Sequence, residues 1–110
     1  MKLKEIVEIL KGEVLTGKEH LEKEAKGGFA GDMLSFVLAN AKEGDVWLTI
    51  QTHINIIPVA VMKGIPAIIF VSSKTCDEDV LNKAKEENIV LIKTPFSLFE
   101  SCGIIYNKLK

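Results

Sequence analysis

The 110-residue sequence predicts a single α/β domain: a mostly parallel sheet of about five strands, mixed at one end, with helices on both faces. Three observations carry this reading. Short runs rich in β-branched and aromatic residues alternate with stretches of helical period, the pattern of parallel strands joined by right-handed crossovers. Ala67 to Val71 is apolar at every position, as in a central strand covered on both faces. No linker, internal repeat or low-complexity tract interrupts the chain, whose length is near the mode for one hydrophobic core.

Leu3, Ile6, Val7, Ile9 and Leu10 recur at helical spacing with Lys and Glu opposite them, which predicts a first helix ended by Gly12. Glu13 to Leu15 and Leu21 to Ala25 read as short strands on either side of Gly17, the pair expected to make the sheet mixed. Gly27, Gly28 and Gly31 around Phe29 and Ala30 read as a flexible turn. Asp32 reads as the start of a helix that buries Met33, Leu34, Phe36, Val37, Leu38 and Ala41. Gly44-Asp45 stops it and leads into a strand from Val46 to Ile50. Thr52 to Met62 is apolar except at His53 and Asn55 and reads as a short buried helix, with Pro58 tolerated near its start. A helix apolar all round in so short a chain predicts cover from a second copy, hence a homodimer. After the Ala67 to Val71 strand, Thr75 and Glu78 fit the capping box T-x-x-E and open a helix through Glu87. Asp77, Glu78 and Asp79 then suit its positive end. Ile89 to Ile92 is the last strand, and Thr94-Pro95 reads as a cap launching a helix through Leu109.

A hydrophobic fraction of 47% with 26% charged residues excludes a disordered chain. All fourteen cationic residues are lysine, against fifteen acids, for a net charge of -1. Without arginine there is no guanidinium fork for phosphate or guanine, and a near-neutral surface does not suit nucleic acid. Cys76 and Cys102 are too far apart for a C-x-x-C motif, and His20 and His53 stand alone, so no metal or other cofactor is expected. Both thiols read as small buried hydrophobes of a reducing compartment. Lys and Glu break up the first ten residues, and every apolar stretch falls short of the ~18 residues that span a bilayer. A cytoplasmic protein with no membrane association is expected. Abundant Lys, Glu and Ile beside a single glutamine resemble thermophile usage.

Gly12 to Glu19, G-E-V-L-T-G-K-E, has the spacing of a phosphate loop up to its last letter. There a carboxylate replaces the hydroxyl that would hold magnesium, and a strand is expected inside the motif, so it is read as a decoy. Strand ends are the better place for a ligand in an open α/β sheet. Gln51, Thr52, His53 and Asn55 follow one strand, Ser72, Ser73, Lys74 and Thr75 the next, and Thr94 the last, with Asp32 near them in the glycine-rich segment. Hydroxyls, free N–H groups and lysine ammoniums converging there suit a small anion. The favoured reading of these residues is as helix caps and turn formers, for His53 over general-base catalysis as well. The acids at 77 to 79 point apart at a helix start and do not form a metal site. No catalytic carboxylate pair or nucleophile elbow is present.

The order of elements, with E-G-D-V-W-L-T-I-Q-T-H-I-N-I-I-P-V-A-V and then G-I-P-A-I-I-F-V-S-S, resembles the DRTGG domain over nearly the whole chain. Gln51, Thr52 and Asn55 stand where that family's first signature falls, and Ser72, Ser73 and Lys74 where its second falls. The stretch from Gly27 to Trp47 is similar to small stand-alone DRTGG-like proteins encoded near iron-hydrogenase subunits. The resemblance implies a fold similar to the N-terminal domain of HPr kinase/phosphorylase, and a regulatory, dimerising module rather than a catalyst. It implies a small anionic or nucleotide ligand, or a protein partner in a metabolic complex. The alternative is a small phosphotransfer or nucleotide-hydrolysing enzyme using the strand-end hydroxyls and lysines, which would need metal carboxylates beside them.

Overall fold

The computed structural model describes residues 1–110. Helix α1 (Leu3–Ile9) is followed by strand β1 (Glu13–Thr16), a single 3₁₀ turn (Lys18–His20) and strand β2 (Gly27–Ala30). Helix α2 (Leu34–Asn40), strand β3 (Asp45–Thr49), helix α3 (Ile56–Lys63) and strand β4 (Ala67–Phe70) come next. Helix α4 (Glu78–Glu86), strand β5 (Val90–Lys93) and helix α5 (Leu98–Leu109) complete the chain. The five strands form one sheet in the order β1-β5-β4-β3-β2. Strands β2 to β5 run parallel, and β1 alone is antiparallel, with Glu13 facing Lys93. The expected mixed, mostly parallel five-stranded sheet is what forms.

Every residue of β3 and β4 is buried, because helices cover both faces. On one face Trp47, Ile68, Phe70 and Leu91 pack against α2, α3 and α4 through Val37, Ile56, Ile57, Ala60, Val80 and Ala84. On the other, Val46, Leu48, Ala67, Ile69 and Ile92 pack against α1 and α5 through Leu3, Ile6, Leu10 and Ile105. A residue-by-residue alternation thus feeds two separate cores from one sheet. The β1–β5 register shifts between Val14 and Thr16, and the buried Thr16 hydroxyl closes the irregularity. It donates to the Ile89 carbonyl at 2.9 Å and accepts from Leu91 N–H at 3.1 Å.

Several local expectations are corrected. Leu21 to Ala25 is not a strand, because its backbone is used to finish α1. The Leu21 and Lys23 carbonyls accept from Lys4 and Leu3 N–H, two of the donors a helix start leaves unpaired. The strand is instead the glycine segment 27–30, expected as a turn. At Gly27 a Cβ would lie 2.7 Å from Asp45 Oδ1, so a larger residue there would require the Asp45 carboxylate to move. Asp32 does not cap α2, whose N-cap is Met33. Helix α3 begins at Ile56 rather than Thr52, because residues 51–55 form side-chain-tied turns, and Gly64 ends it at φ +67°. The Thr75 capping box does not form: α4 has Asp77 as N-cap, without a side-chain capping bond, and residues 72–74 are strapped to the loop after β5 and to Val71. The Thr94-Pro95 cap is also displaced. The capping box there is Ser97 with Glu100, each side chain accepting from the other's N–H at 3.1 Å. Thr94 cannot cap, because its hydroxyl is bound elsewhere.

Candidate functional site

Parallel strands β2 to β5 end side by side, so the loops that follow them share one edge of the sheet. Asp32, just past β2, reaches the end of β3: its Oδ1 accepts from Thr49 Oγ1 at 2.6 Å and from Ile50 N–H at 3.1 Å. From there a series of two-residue turns carries the chain to α3. Thr49 Oγ1 accepts from Gln51 N–H, Gln51 Oε1 from His53 N–H, and His53 Nδ1 from Asn55 N–H, at 3.0, 3.0 and 3.2 Å. Each side chain stands in for a missing backbone partner, which is the physical basis of turn formation by such residues. In the neutral ring the remaining His53 nitrogen, Nε2, carries the proton and faces outward as a donor.

The loop after β4 is built differently. Ser72 and Ser73 both take left-handed backbone conformations, at φ 55° and 58°. Each costs about 1 kcal/mol for a residue with a Cβ. Three hydrogen bonds hold them there: Ser72 N–H to the Phe96 carbonyl, Ser73 N–H to the Thr94 carbonyl and Lys74 N–H to the Val71 carbonyl, at 2.8, 2.8 and 3.1 Å. The side chains of Ser72, Ser73, Lys74 and Thr75 are exposed and make no hydrogen bond or ion pair within the chain. Thr52, half-buried, and Asn55, exposed, are likewise free to bind through their side chains. Thr94 is different: fully buried, its Oγ1 donates to the Leu10 carbonyl at 2.6 Å and accepts from Phe96 N–H at 3.2 Å.

The strand-end residues therefore fall into two groups. Asp32, Gln51, His53 and Thr94 are engaged in shaping the loops, whereas Thr52, Asn55, Ser72, Ser73, Lys74 and Thr75 present free polar groups. No group of three His, Cys, Asp or Glu side chains converges as metal ligands would. Cys76, next along the chain, is a poor nucleophile: burial, with Asp77 and Asp79 adding to it, pushes its thiol above the ordinary range. Glu13 to Thr16, inside the apparent phosphate loop, is strand β1 paired to β5.

One concavity was not foreseen from the sequence. A groove of about 420 Å³ runs between the outer edge of β2 and α5, walled by Leu48, Phe99, Cys102, Tyr106 and Leu109. Its signal was the spacing Phe99, Cys102, Tyr106, Leu109 on a helix whose inward side is already supplied by Ser101 and Ile105.

Fold and site together define a small three-layer α/β domain with polar loops gathered at one end of its sheet. The chain belongs to the DRTGG domain family, whose model matches residues 5–107. Among solved structures it is similar to the CBS and DRTGG domains of the regulatory region of Clostridium perfringens pyrophosphatase, a structure complexed with the activator diadenosine tetraphosphate. That likeness has a TM-score of 0.75 at 20% identity and covers 94% of this chain but 45% of the other. This chain thus spans less than half of that neighbour's length. No curated protein sequence matches it. No helix is long and apolar enough to cross a membrane.

Proposed function

We propose that this chain is a non-enzymatic regulatory module, a homodimer that senses a small anionic or nucleotide ligand at its strand ends and passes that state to a protein partner in a metabolic complex. One observation carries the ligand reading: Ser72 and Ser73 are held in costly left-handed conformations beside an unpaired lysine, Lys74. Such strain persists where the surroundings enforce it, and it clusters at ligand clamps and switches. A free ammonium with two free hydroxyls suits a phosphate group. The regulatory setting of the neighbouring pyrophosphatase domains, and the activator in that complex, make adenine nucleotides the first ligands to try. Similarity to small DRTGG-like proteins encoded near iron-hydrogenase subunits makes a hydrogenase-related complex the first partner to try.

Phosphotransfer is the less supported reading. Asp32 is the carboxylate at the ends of β2 and β3, and its Oδ1 already holds Thr49 and Ile50. A phosphoryl-transfer centre needs carboxylates free to hold magnesium.

Thermal unfolding in the presence of ATP, AMP and diadenosine tetraphosphate tests the proposal. A ligand at about 100 times its Kd adds roughly 2.7 kcal/mol, several degrees in a domain of this size. Lys74→Ala and Ser73→Ala should each shrink that shift. Absence of any shift across the panel, or equal shifts in both variants and the parent, overturns the ligand reading.

A further inference from the structure

We infer that the open edge of β2 is a slot for one further strand, filled by an extended apolar segment of a partner protein. This deepens the partner half of the reading above by naming its surface and chemistry, and it is independent of the ligand half. Strand β2 ends the sheet on one side, with β3 as its only neighbour. Lys26 N–H donates to the Gly44 carbonyl on the β3 side. By the alternation along a strand, Gly27 and Phe29 therefore turn their N–H and C=O groups outward. No other strand lies beside them.

The two edges of the sheet are built differently. Proteins blunt a free edge with charge, proline or a bulge, because its unpaired row is a template for another chain. On β1 a charge and a bulge are both present, Glu13 and the register shift between Val14 and Thr16. Strand β2 reads Gly-Gly-Phe-Ala, carries no charge or proline, and keeps an unbroken register with β3. Gly28 sharpens the contrast. Its φ is not in the left-handed region, and a Cβ there would meet only van der Waals contacts at 3.8–3.9 Å, so the fold itself does not require glycine. Its missing side chain keeps open the floor of the groove beside α5, as a glycine does where another backbone comes close.

Helices on opposite faces of the sheet flank this edge with exposed apolar side chains. On the α5 face, Phe99 and Tyr106, 89% and 69% exposed, wall the groove together with Gly28 and Ala30. On the α2 face, Phe36 packs on Phe29 of β2 with ring centroids 5.8 Å apart, yet is 56% exposed, and Met33 one turn before it is 68% exposed. A strand laid along β2 is therefore covered on both faces, and strands so covered are apolar at every position rather than alternating. That fixes the chemistry of the occupant: a run of about four to six apolar residues without proline. At roughly 150–250 Å² for an aromatic side chain, these four residues expose on the order of 600 Å². With a matching area from the partner the total reaches about 1,200 Å², where specific interfaces begin. The remaining exposed apolar pair on a helix, Val61 and Met62, lies on α3, which sits between α2 and α4 and borders no free edge.

The test uses a fluorescently labelled, capped peptide of alternating valine and phenylalanine between two terminal lysines, and the same peptide with proline at its centre. The first should bind the parent chain at micromolar concentration. The second should bind at least about tenfold more weakly, because proline withholds a ladder donor. Amide exchange followed by NMR should show Gly27 and Phe29 N–H slowed at least about tenfold by the first peptide. Gly28→Val, which fills the groove floor, and Phe99→Ser should each weaken binding at least about tenfold, whereas Met62→Ser should not. Either of the first two variants suffices should the other not fold. Binding that leaves the Gly27 and Phe29 amides unchanged, or that is lost in Met62→Ser but kept in Phe99→Ser, overturns the slot and leaves the partner reading standing. No binding by the first peptide overturns the slot as well. Slow exchange of those two amides in the parent alone, with a dimer in sedimentation equilibrium, puts a second copy on the edge and overturns the partner strand.

Discussion

Thr94→Val keeps the shape of a fully buried side chain and deletes its oxygen. In the folded protein that oxygen joins three parts of the chain: it donates to the Leu10 carbonyl at the end of α1, and accepts from Phe96 N–H ahead of α5. Leu10 is itself fully buried, so its carbonyl gains no water when the hydroxyl goes. Leaving one buried polar group unpaired costs about 1–3 kcal/mol. Phe96 is half-buried and recovers part of its loss through solvent. The expected destabilisation is therefore about 3 kcal/mol, a large part of the total for a domain of this size. Urea unfolding followed by circular dichroism should show a lower midpoint at an unchanged slope, because the surface exposed on unfolding is the same. Thr94→Ser retains the oxygen and should lose less than half as much. A loss under about 1 kcal/mol for Thr94→Val, or equal losses for the two variants, refutes the bridging role.

Two further outcomes follow from the same structure. Ser101 is fully buried on α5 and its hydroxyl has no hydrogen-bond partner, so Ser101→Ala should raise stability by about 1 kcal/mol, and a lower urea midpoint would show that reasoning to be wrong. Hydrogen bonds from Lys2 and Lys4 hold the Glu22 carboxyl below its usual range, and the N-terminal ammonium does the same for Glu24. Both carboxyls bind protons less tightly folded than unfolded, so their contribution is present above the unfolded pKa and is lost as pH falls through the folded one. Melting temperature should therefore fall less steeply in Glu22→Gln than in the parent between about pH 6 and pH 3, a small difference that high salt should erase; equal slopes at low salt would refute it.

Much of the architecture was legible because burial writes itself into sequence. Ala67 to Val71 could only be a strand covered on both sides, and the core stripe of α4 follows from Val80 and Ala84. What misled was local chemistry with more than one use. Thr75 and Thr94 fit capping patterns, but a hydroxyl serves whichever backbone group the tertiary fold brings near, and for Thr94 that group is Leu10, far away in sequence. The glycines of β2 read as a turn because the one close approach there, Gly27 beside the Asp45 side chain, belongs to another strand. At the site, sequence identified which loops meet but not their shape. The connecting helices α2, α3 and α4 all lie on one face, so the parallel strands follow one another without a reversal of order. The topology therefore provides no switch point, the place where a crevice ordinarily opens at the strand ends. The large groove lies instead on the β2–α5 flank.

The single antiparallel strand has a consequence for how the molecule assembles as it is synthesised. Strands β2, β3 and β4 each pair with a neighbour that is next in the chain, so that part of the sheet can form as it leaves the ribosome. Strand β1 pairs only with β5, and α1 shares its core with α5. The ladder edge of β1 must therefore wait, unpaired, until β5 has been made. Contacts of such long sequence separation are the slow ones to close. Strand β1, made well before its partner, finds its place only once β5 has emerged.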